Sequence, residues 1–313
     1  MVLALLPFAA GAADEPPAPE VPVQAPAPAV EPFPISRNTR KAVLWSLLPG
    51  GGHFYLGDTT TGVTYAGLTA AFLLGGAEVQ RRNERLDRDD DEVNVPYLLA
   101  DKVWEYSIFT TTREALLADG VDLRRYRLDD TPTSELLAAP FSREALRPQV
   151  WGAALLGVGL GALAAHDRED GPLSDVQRVR MFGGSYEQDD ANRMYVASAF
   201  GISLGAATAE EGLFRGLLQP YLQGLWGERA GFWAAAGTFG AAHVVGLDGG
   251  FNPAGVAAAT AGGAYFGWLY ERDGNRLAAP IAAHFWYDFA LITTLWVVDP
   301  ENNPLGFDVQ FSF

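Results

Sequence analysis

Six stretches of the chain run almost free of charge, near residues 60–77, 149–165, 193–209, 230–247, 251–270 and 277–298. Several reach the roughly 17–25 residues that a helix needs to cross a bilayer. Gly and Ala are frequent within them, as close helix packing in lipid favours. The segments between are polar. Residues 81–147 carry runs such as "DRDDDE" and "RLDDTP", and a second polar insert covers 166–191. The pattern predicts an all-α fold, a multi-pass transmembrane helix bundle with polar inserts. A soluble protein with buried helices is the weaker reading, because so many long apolar runs in one chain are unusual in water.

The first part of the chain divides by composition. Residues 1–13, "MVLALLPFAAGAA", look like the apolar region and small-residue cleavage site of a signal peptide, without its positive start. Residues 14–36 form a Pro/Ala-rich linker, expected to be extended and solvated. Residues 37–82 read as two short membrane helices joined by the glycine-rich turn of "SLLPGGGHFYLGD". That pattern resembles a helix hairpin of small bacterial membrane domains of unknown function, which implies no chemistry. His53 beside the glycines reads as a packed or interfacial residue rather than a ligand. In the polar region 83–147, "YLLADKVWEYSIFTTTREALL" spaces Leu99, Val103, Tyr106 and Phe109 or Thr110 at helical intervals. This predicts an amphipathic helix on the membrane surface or against the bundle. Residues 299–313 alternate and end in Phe, and read as a surface tail. Arg37, Arg40 and Lys41 precede the hairpin, and Arg81, Arg82 and Arg85 follow it. The positive-inside rule would place both ends in the cytoplasm, whereas a cleaved signal peptide would start the mature chain outside; the arginine clusters are the stronger signal.

Composition narrows the chemistry. The chain is 49% hydrophobic yet carries a formal charge of −16, so its charge belongs in the loops between spans. It has no cysteine, which excludes disulfides, thiolate catalysis and Cys-bound zinc. The acidic balance and the lack of a basic patch exclude a nucleic-acid partner. The expected surroundings are membrane lipid, in a cell (inner) membrane.

Against that background "AEEGLFRG", residues 209–216, is out of place. Glu211 and Arg215 are four apart, share a helix face and stand in the favourable order for an ion pair. Glu210 is rotated by about 100° and has no equally obvious local partner. A charge at the bilayer centre costs roughly 2.5–3.5 kcal/mol, so intramembrane ionisable groups mark functional sites. Two further apolar runs carry polar groups at the same spacing: "FGAAH" sets Phe239 four before His243, and "HFWYD" sets His284 four before Asp288. Three helices each turning a polar stripe inward is how bundle sites are built.

The ordered motifs "EEGLFRG", "FGAAH" and "HFWYD" resemble the EExxxR, FxxxH and HxxxN/D motifs of the CPBP family, intramembrane proteases similar to the type II CAAX prenyl endopeptidase (Rce1-like, also called Abi). The resemblance covers roughly residues 148–298. It implies an endopeptidase in which Glu210 and His243 activate a water, with Glu210 as general base. It implies Glu211 and Arg215 as the supporting ion pair, His284 with Asp288 at the oxyanion, and Phe239 as a packing residue. Many family members have Asn where this chain has Asp288. An ionised Asp accepts hydrogen bonds and cannot donate to an oxyanion. Asp288 would then be protonated, orient His284, or bind a metal. No cofactor is expected. Zinc at His243, His284 and a carboxylate is the alternative, since the family is often labelled metalloprotease.

The reading that follows is a membrane endopeptidase acting on a membrane-associated protein or peptide. Its rival is a non-catalytic membrane scaffold or immunity protein that retains the fold. A transporter with a proton relay would want a repeated hydropathy pattern between halves, which is not seen.

Overall fold

A computed structural model describes residues 31–86, 92–164, 173–244 and 250–311. The signal-peptide-like segment 1–13, most of the Pro/Ala linker and the "DRDDDE" run lie outside these residues, apart from Glu92 at the end of that run.

The chain is built of helices with one small sheet. The glycine-rich turn comes between α1 (Arg37–Trp45) and α2 (Gly51–Leu56), and α3 (Thr59–Arg85) is the long arm of the hairpin. The turn needs glycine. Gly50 has φ of +74°, and a Cβ there would come within 2.2 Å of the Gly62 carbonyl oxygen. Asp58 caps α3 by accepting from the Thr61 amide. The first arm of the hairpin, α1, has 9 residues.

α4 (Val95–Ala118) begins at Asn94, whose side chain accepts from the Tyr97 amide, with Pro96 in its first turn. It packs along α3 and α7 (Gln188–Leu213). Tyr106, Phe109 and Leu116 are buried in those contacts, so this helix lies against the bundle rather than on a membrane surface. Short α5 (Thr133–Ala138) leads to α6 (Pro148–Ala164), which packs on α11 (Ala278–Val298). The approach is close: a Cβ at Gly157 would meet the Tyr287 carbonyl oxygen at 2.4 Å, and one at Gly161 would meet Thr294 at 3.0 Å. Small residues four apart at such a contact let two backbones approach.

α7 runs through a π-helical turn (Phe214–Leu218) into α8 (Gln219–Trp226). α9 (Glu228–Ala242) and α10 (Pro253–Arg272) pack on each other, and α9 also packs on α8. The expected charge-poor runs are thus helices. Among the described residues, however, only α3 and α11 are long and apolar enough to cross a membrane. α6 is apolar but has 17 residues, and α9 has 15. α7 and α10 are long without sustaining the apolarity. Length and composition alone therefore supply two candidate spans.

The polar insert and the tail hold the sheet. β1 (Val176–Met181) pairs antiparallel with β2 (Gly184–Glu187) and with β3 (Asp308–Phe311). Phe182 and Gly183, both at positive φ, make the two-residue turn between β1 and β2. Val179 and Met181 of β1, Leu305 and Phe307 ahead of β3, Tyr195 of α7 and Trp296 of α11 form one buried cluster. The tail is therefore a partner strand rather than a surface appendage. Its alternation is that of a strand with one covered face.

Candidate active site

The three motif segments meet where α7, the C-terminal end of α9 and α11 come together. Glu210 and Glu211 lie in the last turn of α7, and Arg215 lies in the π turn that follows. π turns are rare and often occur at functional sites.

Glu211 and Arg215 are both buried. Arg215 Nη1 donates to Glu211 Oε1 at 3.1 Å, and Nη2 donates to the Gly263 carbonyl of α10 at 2.8 Å. The guanidinium carbon sits 4.3 Å from the centroid of the Phe239 ring. Gly263 leaves room for this, since a Cβ there would stand 3.1 Å from Nη2. The pair is thus bonded and stacked, as a buried ion pair requires.

Glu211 also anchors the third motif. Its Oε1 lies 2.8 Å from His284 Nδ1. A carboxylate accepts only, so Nδ1 carries the proton. Phe266 stacks on the His284 ring at 4.7 Å. The other ring nitrogen, Nε2, stands 3.3 Å from Asp288 Oδ2 and 4.0 Å from Glu210 Oε2.

His243 terminates α9. Its Nδ1 bonds the Phe239 carbonyl at 2.8 Å, which again fixes a proton on Nδ1 and turns Nε2 toward the site. That Nε2 lies 4.0 Å from Glu210 Oε2. Phe239 packs beside both imidazoles, with centroids 4.7 Å from His243 and 6.1 Å from His284. The structure therefore brings together Glu210, His243, His284 and Asp288, with Glu211, Arg215 and Phe239 directly behind them.

Glu210 is asymmetric. Oε1 is 3.2 Å from Lys102 Nζ of α4. Oε2 is buried, with no protein hydrogen-bond partner among the described residues. The two 4.0 Å separations are too long for direct hydrogen bonds and suit one bridging water. Motif reasoning does not find Lys102. Its neighbours Asp101 and Glu105 make it read as an exposed i,i+3 pair, and only the packing of α4 on α7 turns it inward.

Zinc fits the motif residues poorly. No three ligand atoms from these side chains lie within 4.8 Å of one another. Among the described residues, the His, Asp and Glu group that meets that condition is His53, Asp58 and Glu114 in the hairpin. His53 itself is buried, bonded to Glu114 at 2.9 Å and Thr110 at 3.0 Å, and stacked on Tyr65.

Neither the curated proteins nor the solved structures contain a match to the chain. Residues 192–290 match the model of a family described as type II CAAX prenyl endopeptidase Rce1-like. The matched segment contains all three motifs and the histidines, carboxylates and arginine assembled above, so this part of the chain is similar to the Rce1-like endopeptidases.

Proposed function

We propose that the chain is a membrane endopeptidase that hydrolyses a peptide bond of a membrane-associated protein or peptide with a Glu/His-activated water. The observation that carries this reading is Glu210 Oε2, a buried acceptor without a protein partner, 4.0 Å from Nε2 of both His243 and His284. A water in that gap donates one hydrogen to Oε2 and is held by Nε2 of His243. Its lone pairs then face a substrate carbonyl.

Attack forms the new C–O bond while Glu210 takes the water proton. His284, gripped at Nδ1 by Glu211, presents Nε2–H. It shares that proton with Asp288 until the tetrahedral oxyanion forms, and then donates to the oxyanion. The C–N bond breaks as Glu210 returns its proton to the leaving amine, giving a carboxylic acid and an amine, whose remaining proton transfer yields carboxylate and ammonium. Asp288 serves as the orienting group for His284, and no metal enters a step.

A multi-pass placement in a cell membrane is supported by α3, α11 and an apolar outer face on α6. Trp151, Leu155, Leu156 and Leu163 of α6 are 58%, 67%, 56% and 70% exposed. An apolar surface of this kind fits lipid better than water.

The test compares membrane peptides from cells producing wild-type protein with those from cells producing Glu210→Gln, by quantitative proteomics. Neo-termini present with wild type disappear with Glu210→Gln while the protein still accumulates. Purified Glu210→Gln loses about 10²–10⁴-fold in rate, the range of a general base. Cleavage that persists with Glu210→Gln removes the assignment, and no cleavage by wild type favours the scaffold reading.

A further inference from the structure

Lys102 lies outside the segment that matches the family and yet reaches its central carboxylate. The stem of Lys102 rests on α7 at Gly205, where an added Cβ would come within 3.0 Å of Lys102 Cβ. Only 12% of the side chain is exposed. Its ammonium lies 2.7 Å from Glu105, 3.2 Å from Glu210 Oε1 and 3.4 Å from Asp101. It donates a hydrogen bond to Glu105 and is ion-paired with the other two carboxylates. Among the described residues, Lys102 is the charged group nearest the Glu210 carboxylate, because both histidines stand at 4.0 Å.

A base must be ionised and aimed. A carboxylate shielded from water tends to protonate unless a cation compensates it. A lysine bound to Glu210 alone would hold the charge but weaken the base. Glu105 and Asp101 share the lysine's charge, so Glu210 stays ionised without being fully neutralised.

We propose that Lys102 is a positioning residue of the active site, a cation supplied by α4 that grips Oε1 of Glu210 and leaves Oε2 aimed at His243 and His284. The assignment rests on the peptidase reading. α4 is then part of the catalytic machinery, and the matched segment is incomplete without it.

Other charges face Glu210 as well. His243 comes from the end of α9, His284 and Asp288 come from α11, and Glu211 and Arg215 continue its own helix. Lys102 is the cation from α4, with Glu105 and Asp101 beside it. All of these remain in place when Lys102 or Glu105 alone is changed.

The test uses the full chain in detergent with a fluorogenic peptide chosen from a library by wild-type cleavage. Lys102→Met lowers kcat about 10–100-fold near neutral pH with KM nearly unchanged, as loss of general-base alignment requires. It also moves the acid limb of the pH profile upward. Lys102→Arg recovers most of the rate. Glu105→Gln moves the acid limb the opposite way, because the lysine's charge then acts more fully on Glu210. A merely structural salt bridge would shift thermal stability and leave the limb where it is. A stability cycle of Lys102→Met with Glu210→Gln is non-additive if the two groups are coupled. An unmoved limb with an active wild type, or an additive cycle, overturns the proposal. If Lys102→Met does not accumulate, the opposite shift in Glu105→Gln and the rate of Lys102→Arg decide it. A wild type that cleaves nothing overturns the peptidase reading, and this role with it.

Discussion

His53 and His284 look alike at first inspection. Each is buried, and each sets Nδ1 against a glutamate of another helix, at 2.9 Å from Glu114 and 2.8 Å from Glu211. Each has an aromatic ring stacked on its face, Tyr65 or Phe266. They differ at Nε2. In His53 that nitrogen bonds the Thr110 hydroxyl of α4 and the ring is closed on both sides. In His284 it faces Asp288 and the unpartnered oxygen of Glu210. Burial and a carboxylate partner therefore do not mark a reactive histidine. On the peptidase reading, the surroundings of the second nitrogen do.

The largest test of this contrast is to replace both rings. His284→Gln lowers peptide hydrolysis by about 10²–10⁴-fold, the scale of a lost electrostatic or acid–base group. His53→Gln leaves kcat within a few-fold and lowers stability by about 1–3 kcal/mol, the cost of stranding a buried hydrogen-bonding group. Activity and thermal unfolding in the same detergent separate the outcomes. Equal losses of activity would erase the distinction.

The two glutamates give a smaller effect. Glu211 is fully buried and holds Arg215 as well as His284, whereas Glu114 is 37% exposed. Glu211→Ala leaves Arg215 buried and unpaired and costs about 3–5 kcal/mol. Glu211→Gln keeps the shape and part of the bonding, and costs less. Glu114→Gln, solvated and replaceable by water, costs no more than about 1 kcal/mol. Unfolding midpoints rank the three.

The smallest effect is expected at Asp288. Its Oδ2 lies on the Nε2 side of His284, the side that faces Glu210. Asn keeps an acceptor there and adds a donor, so Asp288→Asn retains activity within about tenfold. Kinetics with and without chelator check this. A much larger loss, accompanied by loss of stoichiometric zinc from the wild type, would replace the water mechanism with a metal-centred one.

Much of the site could be read from spacing. Four-residue intervals put Glu211 with Arg215 and His284 with Asp288 on shared helix faces, and the helices obey that geometry even where a π turn follows. Two histidines of four falling in apolar runs pointed to an interior. Lys102 was not legible, because its inward turn depends on which face of α4 meets α7, and Gly205 sets that contact. The role of Glu210 Oε1 was hidden for the same reason. The helical character of the charge-poor runs was legible from hydropathy, but their fitness as spans was not, because helix ends and capping residues set the lengths. The sheet was hidden more deeply. "VQRVRM" and "GSYE" carry little alternation, and β1 finds its second partner far along the chain, as the Arg180–Asp308 pair 128 residues apart shows.

That distant strand has a consequence for the order of events during synthesis. Ribosomal production runs at about 5–20 residues per second. β1 therefore waits for its outer partner while α7 through α11 are made. Until β3 emerges, Val176 and Val179 stand along an unpaired edge, and the cluster around Tyr195 and Trp296 lacks Phe307. The helices that bear Glu210 and His284 are thus joined at one end by a strand made after both, so the fold closes only once the site helices are complete.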